Sequence, residues 1–377
     1  MELQKVELIA RLCETCPKMC RHVCTTHAVT RSEADTPNER ASIAYRALLR
    51  GHFLPAEVPY MYKKCTACGL CLQWCETGID VSEVMLAARA DLAQAGMAPG
   101  DVVVVMENML RQGNPFGELR QEQFGSIFSQ VGSLPDRAEV LYFAGCETLY
   151  RQPEIAMAVL KILRAAEVDF TMLKDGEPCC GEPQRQLGFI GDFFASARKI
   201  LAMIQNSGAR RVVYTCPSCL HMVKEIYPRY GIRIPEGLQF QHISEFILEL
   251  INEKKLVLKR SIDKRITYHD PCDLGRRLKI YEPPRQVLEA LTGMKTQEMF
   301  FNRQDARCCG AGGGLQFTNP GLADKASKTV VDLAQDISAE LLVTACPACK
   351  TSFRKQTDLL DNLDTLDLTE LVAGSLS

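Results

Sequence analysis

The sequence predicts an α+β, multi-domain chain: a helical N-terminal module followed by two repeated α/β domains. Three observations predict it. All eighteen cysteines fall into four blocks, with none left over. The last two blocks are copies of one pattern, and the likeness extends beyond the cysteines. Within each copy strand-like apolar runs alternate with helical ones, whereas the segments around the first two blocks read as helices. The expected division is 1–100, a connecting segment 101–136, and α/β domains at 137–256 and 257–377.

The first module carries Cys13, Cys16, Cys20 and Cys24, then Cys65, Cys68, Cys71 and Cys75. The second run has the C-x2-C-x2-C-x3-C spacing of a bacterial-type [4Fe–4S] site. Three closely spaced thiolates wrap three corners of a cubane in one tight loop, and Gly69 lets the backbone turn close to the sulfides. The fourth cysteine of such a run serves the other cluster. By that rule one cubane takes Cys13, Cys16, Cys20 and Cys75, and the other takes Cys65, Cys68, Cys71 and Cys24. The first run has one residue more before its third cysteine, and Thr25 and Glu76 stand where proline usually follows the fourth. Four thiolates also suit structural zinc; the x2, x2, x3 triplet is not a zinc-ribbon spacing and favours iron–sulfur. Between the runs, NERASIAYRALLRG has apolar residues at helical intervals with Gly51 as terminator. After them, VSEVMLAARADLAQAG reads as a second helix, capped by Asp80 and ended by Gly96. An α-helical two-cluster ferredoxin module is the expectation.

In the repeat, EVLYFAGC ending at Cys146 matches RITYHDPC ending at Cys272. EPCCGEP, with Cys179 and Cys180, matches ARCCGAG, with Cys308 and Cys309. VVYTCPSC, with Cys216 and Cys219, matches LVTACPAC, with Cys346 and Cys349. The offsets are steady: 126 (146 to 272), 129 (180 to 309) and 130 (219 to 349), with QHISEF and DLTEL 125 apart. In the first copy VLYFA, FTML and VVYT read as strands, with helices at EIAMAVLKILRAA, from about Phe189 to Ile204, and at HMVKEIY. That rhythm predicts a small Rossmann-like parallel sheet in each copy, with the cysteines in loops at the strands' carboxyl ends, where such sheets bind ligands. CPSC or CPAC alone would fit a dithiol or half a zinc site. Five thiols per site exceed what zinc needs, and a vicinal pair closes a disulfide only with strain.

The doubled pattern Cys…Cys-Cys-Gly…Cys-Pro-x-Cys resembles the cysteine-rich CCG domain. That domain occurs in heterodisulfide reductase subunits and in iron–sulfur subunits of glycolate, lactate and glycerol-3-phosphate oxidoreductases. The whole layout resembles the fused heterodisulfide reductase D-type subunit, with further matches at GNPFG (Gly113–Gly117), YHDPC at Tyr268 and CCGAGGG at Cys308. The resemblance implies one further [4Fe–4S] cluster in one or both copies, in that family a non-cubane one. Its ligands would be Cys146, Cys179, Cys180, Cys216 and Cys219, and Cys272, Cys308, Cys309, Cys346 and Cys349. Asp273 stands where the family often has histidine. It also implies an oxidoreductase subunit with a flavoprotein or other redox partner, any flavin lying in that partner, and a thiol or disulfide substrate. The rival reading is a relay beside a FAD-linked 2-hydroxyacid or glycerol-3-phosphate dehydrogenase; a zinc-stabilised interaction protein is a third. Copy two has Ala311 and three glycines beside its cysteine pair, against Glu182, Pro183, Gln184 and Arg185 in copy one. The second site is therefore expected to be the more open, with Cys308 and Cys309 at the chemistry and the glycines allowing close approach to the cluster.

Composition bounds the rest. Hydrophobic residues are 46%, charged residues 24% and the net charge −2, which gives no attraction for nucleic acid or acidic membranes. MELQKVELIARL lacks the apolar stretch of a signal peptide, and runs such as Val102–Met106 are too short to span a bilayer. The expected place is the cytoplasm, with membrane contact only through a partner. GxGxxG is absent, so the glycine run after Cys309 is not read as a nucleotide loop. His242 and His269 are expected as hydrogen-bonded core histidines, and Trp74 as a cluster shield or ordinary packing.

Overall fold

A computed structural model describes residues 1–119, 134–173, 176–259 and 262–376, with residues 125, 127 and 129; the rest of the connecting segment lies outside the described residues. Up to Gly113 the regular elements are all helical. Pro37–Arg50 forms because Pro37 presets its first turn, Thr36 accepts from Glu39 N, and Gly51 closes it at φ 80°. Val81–Gln94 starts where Asp80 accepts from Ser82 N at 2.9 Å. Both pack with Glu7–Glu14 around a core containing Ala44, Met61, Tyr62, Val84 and Met85. The connecting segment begins with a helix that the sequence pattern does not announce, Gly100–Gln112. Its buried Val102, Val105, Met106 and Met109 recur at helical spacing, a period outweighing the strand preference of four consecutive valines.

Two parallel sheets follow. In the first, β1 (Val140–Phe143), β2 (Phe170–Thr171), β3 (Arg211–Tyr214) and β4 (Gln239–His242) lie in the order β2-β1-β3-β4. In the second, β5 (Ile266–His269), β6 (Leu341–Thr344) and β7 (Asp364–Asp367) lie in the order β5-β6-β7. The register repeats: Val140 pairs Arg211 as Ile266 pairs Leu341, and Arg211 pairs Gln239 as Leu341 pairs Asp364. Among the described residues, only a bridge between Thr267 and Gln297 stands where copy one has β2. QHISEF and DLTEL are the same device: His242 with Glu245, and Asp367 with Glu370, form capping boxes at the starts of Ile243–Asn252 and Leu368–Gly374.

The copies pack by exchange. Helix Pro153–Ala165 of copy one lies on Leu368–Gly374 of copy two, and Ile243–Asn252 lies on Glu282–Thr292. These are equivalent pairs with the copies swapped, so the arrangement is a pseudo-twofold. Across it, buried Lys350 pairs with Glu154 of copy one and Glu370 of its own copy, both at 2.8 Å. Among the described residues no helix is long and apolar enough to cross a membrane.

Candidate functional site

The repeated sheets place the cysteines. Cys146 opens helix Cys146–Arg151 just past β1, and Cys272 caps the turn Asp273–Arg277 past β5. Cys216 and Cys346 cap Pro217–His221 and Pro347–Thr357 past β3 and β6. The cysteine pair of copy one is held by the GNPFG loop: Cys179 N donates to Gly113 O at 3.1 Å, and Asn114 Oδ1 accepts from Phe116 N and Glu118 N.

The pseudo-twofold turns both cysteine sets toward one cavity. Cys146, Cys179, Cys180, Cys216 and Cys219 line it from one side, and Cys272, Cys309, Cys346 and Cys349 from the other. The expectation of one open and one covered site is thus modified. Glu182 and Pro183 share the cavity wall with Ala311, Gly312 and Gly314, because the pairing of the copies decides exposure, not the residues beside each pair. Helix Pro217–His221 abuts the turn after Cys272, and Ser218 donates to Asp273 Oδ2, so Asp273 ties the two sites together. Cys308 is absent from the cavity wall and faces the N-terminal module.

The thiols lie close and press on one another. Cys146 Sγ is 3.6 Å from Cys179 Sγ. The Cys180 thiol is raised well above its ordinary pKa, first by its hydrogen bond with Cys179, and Cys349 likewise by Cys309. Cys309, accepting from Cys308 and Cys349, is pulled down to about 5. Crowded, buried thiol and thiolate groups of this kind call for positive charge among them. Three carboxyls share the wall: Glu147, raised by burial; Glu182, pushed up to about 8 first by burial and then by Asp273; and Asp273 itself.

In the N-terminal module, Cys13 lies in the last turn of helix Glu7–Glu14 and Cys16 follows in a turn. The extra residue of this run is taken up at Lys18, left-handed at φ 64°. Cys24 caps helix Thr25–Thr30, whereas Cys75 follows the short helix Leu70–Gln73. Burial and the charges of Cys20, Cys16 and Cys75 push the Cys13 thiol up to about 12. Burial raises Cys71, with Asp80, Cys68, Cys24 and Cys65 adding to it. Cys75 acts on Cys13 and Cys20 of the first run, and Cys24 acts on Cys20 as well as on Cys65 and Cys71, so Cys24 lies between the two runs. Backbone N–H groups point at sulfur, from Ala67 to Cys65 (3.4 Å), Ile79 to Cys75 (3.2 Å) and Gly310 to Cys308 (3.5 Å). All-thiol donor sets with backbone donors aimed at the sulfurs fit iron–sulfur clusters.

The module is wedged against copy two. The Cys68 thiol meets Cys308, whose hydrogen bond is the first cause of its raised pKa. Arg89, buried, donates to Met61 O, Cys65 O, Gln186 O and Gly313 O, joining the module to both copies. The glycines after Cys309 serve this contact: a Cβ at Gly313 would lie 2.1 Å from Cys65 O. Close approach is thus to the loop carrying Cys65, where a close approach to a cluster was expected. His242 and His269 are buried and bonded to Thr215 O and Arg307 O, as core histidines are. Trp74 is exposed, stacked edge-on to His22 and bonded to Asp305.

The cysteine-rich CCG domain family matches residues 140–224 and 266–354. The chain is 34% identical over 319 residues to the D subunit of dihydromethanophenazine:CoB–CoM heterodisulfide reductase from Methanosarcina acetivorans, covering 83% of this chain and 77% of that one. It belongs to the heterodisulfide reductase D-subunit family. It is 28% identical to the B subunit of fumarate reductase (CoM/CoB) from Methanothermobacter marburgensis, over 82% of this chain and 60% of that one. The crystal structure of a hypothetical protein from Helicobacter pylori shares the fold at a TM-score of 0.56 and 10% identity, over 90% of this chain and 67% of that one. As a family member the chain is an oxidoreductase subunit that transfers electrons through iron–sulfur clusters. Sequence reasoning missed Glu147 and the buried arginines at the module boundary, because a lone acid or arginine in one sequence carries no spacing signal.

Proposed function

We propose that this chain is the D-type member of a heterodisulfide-reductase-like complex, reducing a disulfide in the cavity between its two CCG sites. The observation that carries the proposal is that one cavity is walled by cysteines of both copies. A disulfide there would have a sulfur facing each set, and its reduction takes two electrons and two protons to give two thiols. The clusters supply those electrons one at a time. One cubane would be held by Cys13, Cys16, Cys20 and Cys75, and the other by Cys65, Cys68, Cys71 and Cys24. Cys146, Cys179, Cys180, Cys216 and Cys219 would hold one CCG cluster, and Cys272, Cys308, Cys309, Cys346 and Cys349 the other. Of the pair expected to be catalytic, Cys309 takes the substrate side; Cys308, against Cys68, takes the side where electrons enter. A flavoprotein or other redox partner feeds the N-terminal module, any flavin being its own. The chain works in the cytoplasm and meets a membrane only through that partner.

The test adds a thiol or disulfide to the oxidised, anaerobically purified protein and follows its paramagnetic signals. A ligand-induced signal is expected, weakened in both Cys180→Ser and Cys309→Ser. If no ligand perturbs either site, the chain is a relay to a docked dehydrogenase and the substrate reading fails.

A further inference from the structure

The two N-terminal cysteine sets sit in different electrostatic surroundings. Buried Arg40 donates from both terminal nitrogens to Cys24 Sγ, at 3.4 and 3.5 Å. Buried Arg89 donates to Cys65 O at 3.1 Å, and buried Arg276 to Cys68 O at 2.9 Å. Among the described residues the Arg276 Nη2 atom meets no hydrogen-bond partner. Half-buried Arg307 donates to Val23 O and His22 O, beside Cys24. Among the described residues no carboxylate pairs with any of the four. The nearby acids are engaged elsewhere: Asp35 pairs with Lys64 at 3.1 Å, Asp80 pairs with Arg277 at 2.8 Å, and Glu182, whose charge Arg89 feels, accepts from Gln186. Burying a guanidinium without a counter-charge is costly. What the four share instead is proximity to the sulfurs of Cys24, Cys65 and Cys68, whose thiols feel their charges.

Around Cys13, Cys16, Cys20 and Cys75 the setting differs. Cys75 receives the Thr77 hydroxyl and the Ile79 N–H, both neutral donors. The neighbouring cations Lys18 and Arg21 are paired with Glu33 at the surface. Among the described residues no arginine or lysine donates to these four sulfurs.

A thiolate-bound cluster gains one negative charge on reduction, so fixed positive charge stabilises its reduced form, and more so away from water. We infer that Arg40, Arg89, Arg276 and Arg307 form a cationic cage that raises the reduction potential at the Cys24, Cys65, Cys68 and Cys71 site above that at the Cys13, Cys16, Cys20 and Cys75 site. Electrons then run one at a time from the first site to the second, the one losing what the other gains. The second site is the one that abuts Cys308. The cage gives the module a direction, toward the CCG copies. This inference rests on the ligand sets proposed above.

The test is a potentiometric titration of the full chain, purified anaerobically and followed by electron paramagnetic resonance. Cys16→Ser and Cys68→Ser identify the two module signals. The Cys68-dependent signal is expected to titrate at the higher potential. Arg40→Gln should lower it by at least a tenfold change in the reduced-to-oxidised ratio, 59 mV for one electron. The Cys16-dependent signal should stay in place, and Arg40→Lys should restore most of the shift. Arg307→Gln, at a half-buried position, gives the same sign should Arg40→Gln fail to fold. A reversed order, or equal shifts in both signals, overturns the cage. Absence of iron or of two separable module signals would instead overturn the ligand sets, so the two failures are told apart.

Discussion

Replacing Gly313 by alanine should loosen the N-terminal module from copy two. A Cβ there would sit 2.1 Å from Cys65 O and 2.9 Å from the Thr66 backbone, and φ is +65°. The three nearest atoms it meets all belong to backbone, held in turn by Arg89, which donates to Gly313 O at 2.9 Å and Cys65 O at 3.1 Å. No flexible side chain can swing aside. The left-handed backbone costs alanine roughly 1–2 kcal/mol, and the forced shift adds roughly 1–3 kcal/mol. Gly51 is the control, because it has φ +80° with nothing within 4 Å. Gly51→Ala should therefore cost only the backbone part. The assay is anaerobic denaturant unfolding of both variants, followed by cluster absorbance. Gly313→Ala should lose about 1–3 kcal/mol more than Gly51→Ala, with the Cys68-dependent signal lost first. Equal losses would refute the idea that this loop is packed backbone to backbone.

Two further outcomes follow from burial. Lys350→Met takes their shared cation from Glu370 and from half-exposed Glu154, which keeps Arg354 at 3.4 Å, and should cost about 1–3 kcal/mol, with Glu154→Gln costing less; denaturant midpoints of the two variants check the order. Burial holds His242 and His269 down at about 4 against an ordinary 6.5. Their stabilisation is complete above pH 6.5 and fades as pH falls toward 4, by up to roughly 1.4 kcal/mol per unit for each. Asp367, pushed up to about 7 by burial, opposes this, since its contribution is lost as pH rises through 7. Comparison with His242→Asn, which keeps a cap for Ser244 N, isolates the histidine; parallel pH profiles from 7.5 to 5.5 would contradict it.

What could be read from the sequence was what repeats or spaces itself along the chain. The cysteine runs, the duplication, the caps at Asp80 and Gly51 and the buried histidines all follow local rules. The helix Gly100–Gln112 was missed because four consecutive valines mask a helical period, and β4 because Gln239 and Gln241 interrupt its apolar pattern. The shared cavity was out of reach, since it arises from the swapped packing of Pro153–Ala165 on Leu368–Gly374 and Ile243–Asn252 on Glu282–Thr292. No residue near Cys146 or Cys272 announces that those loops will face each other. The arginines were equally hidden: Arg40 and Arg89 belong to the module and Arg276 and Arg307 to copy two, whose pair reaches Cys68 O and Val23 O only when the module docks.

The measurement that bears most directly on the whole reading is iron and acid-labile sulfide per chain in protein purified without oxygen. Four filled cysteine sets predict about sixteen iron atoms, four per cluster, with matching sulfide and at most traces of zinc. Stoichiometric zinc with little iron would contradict it.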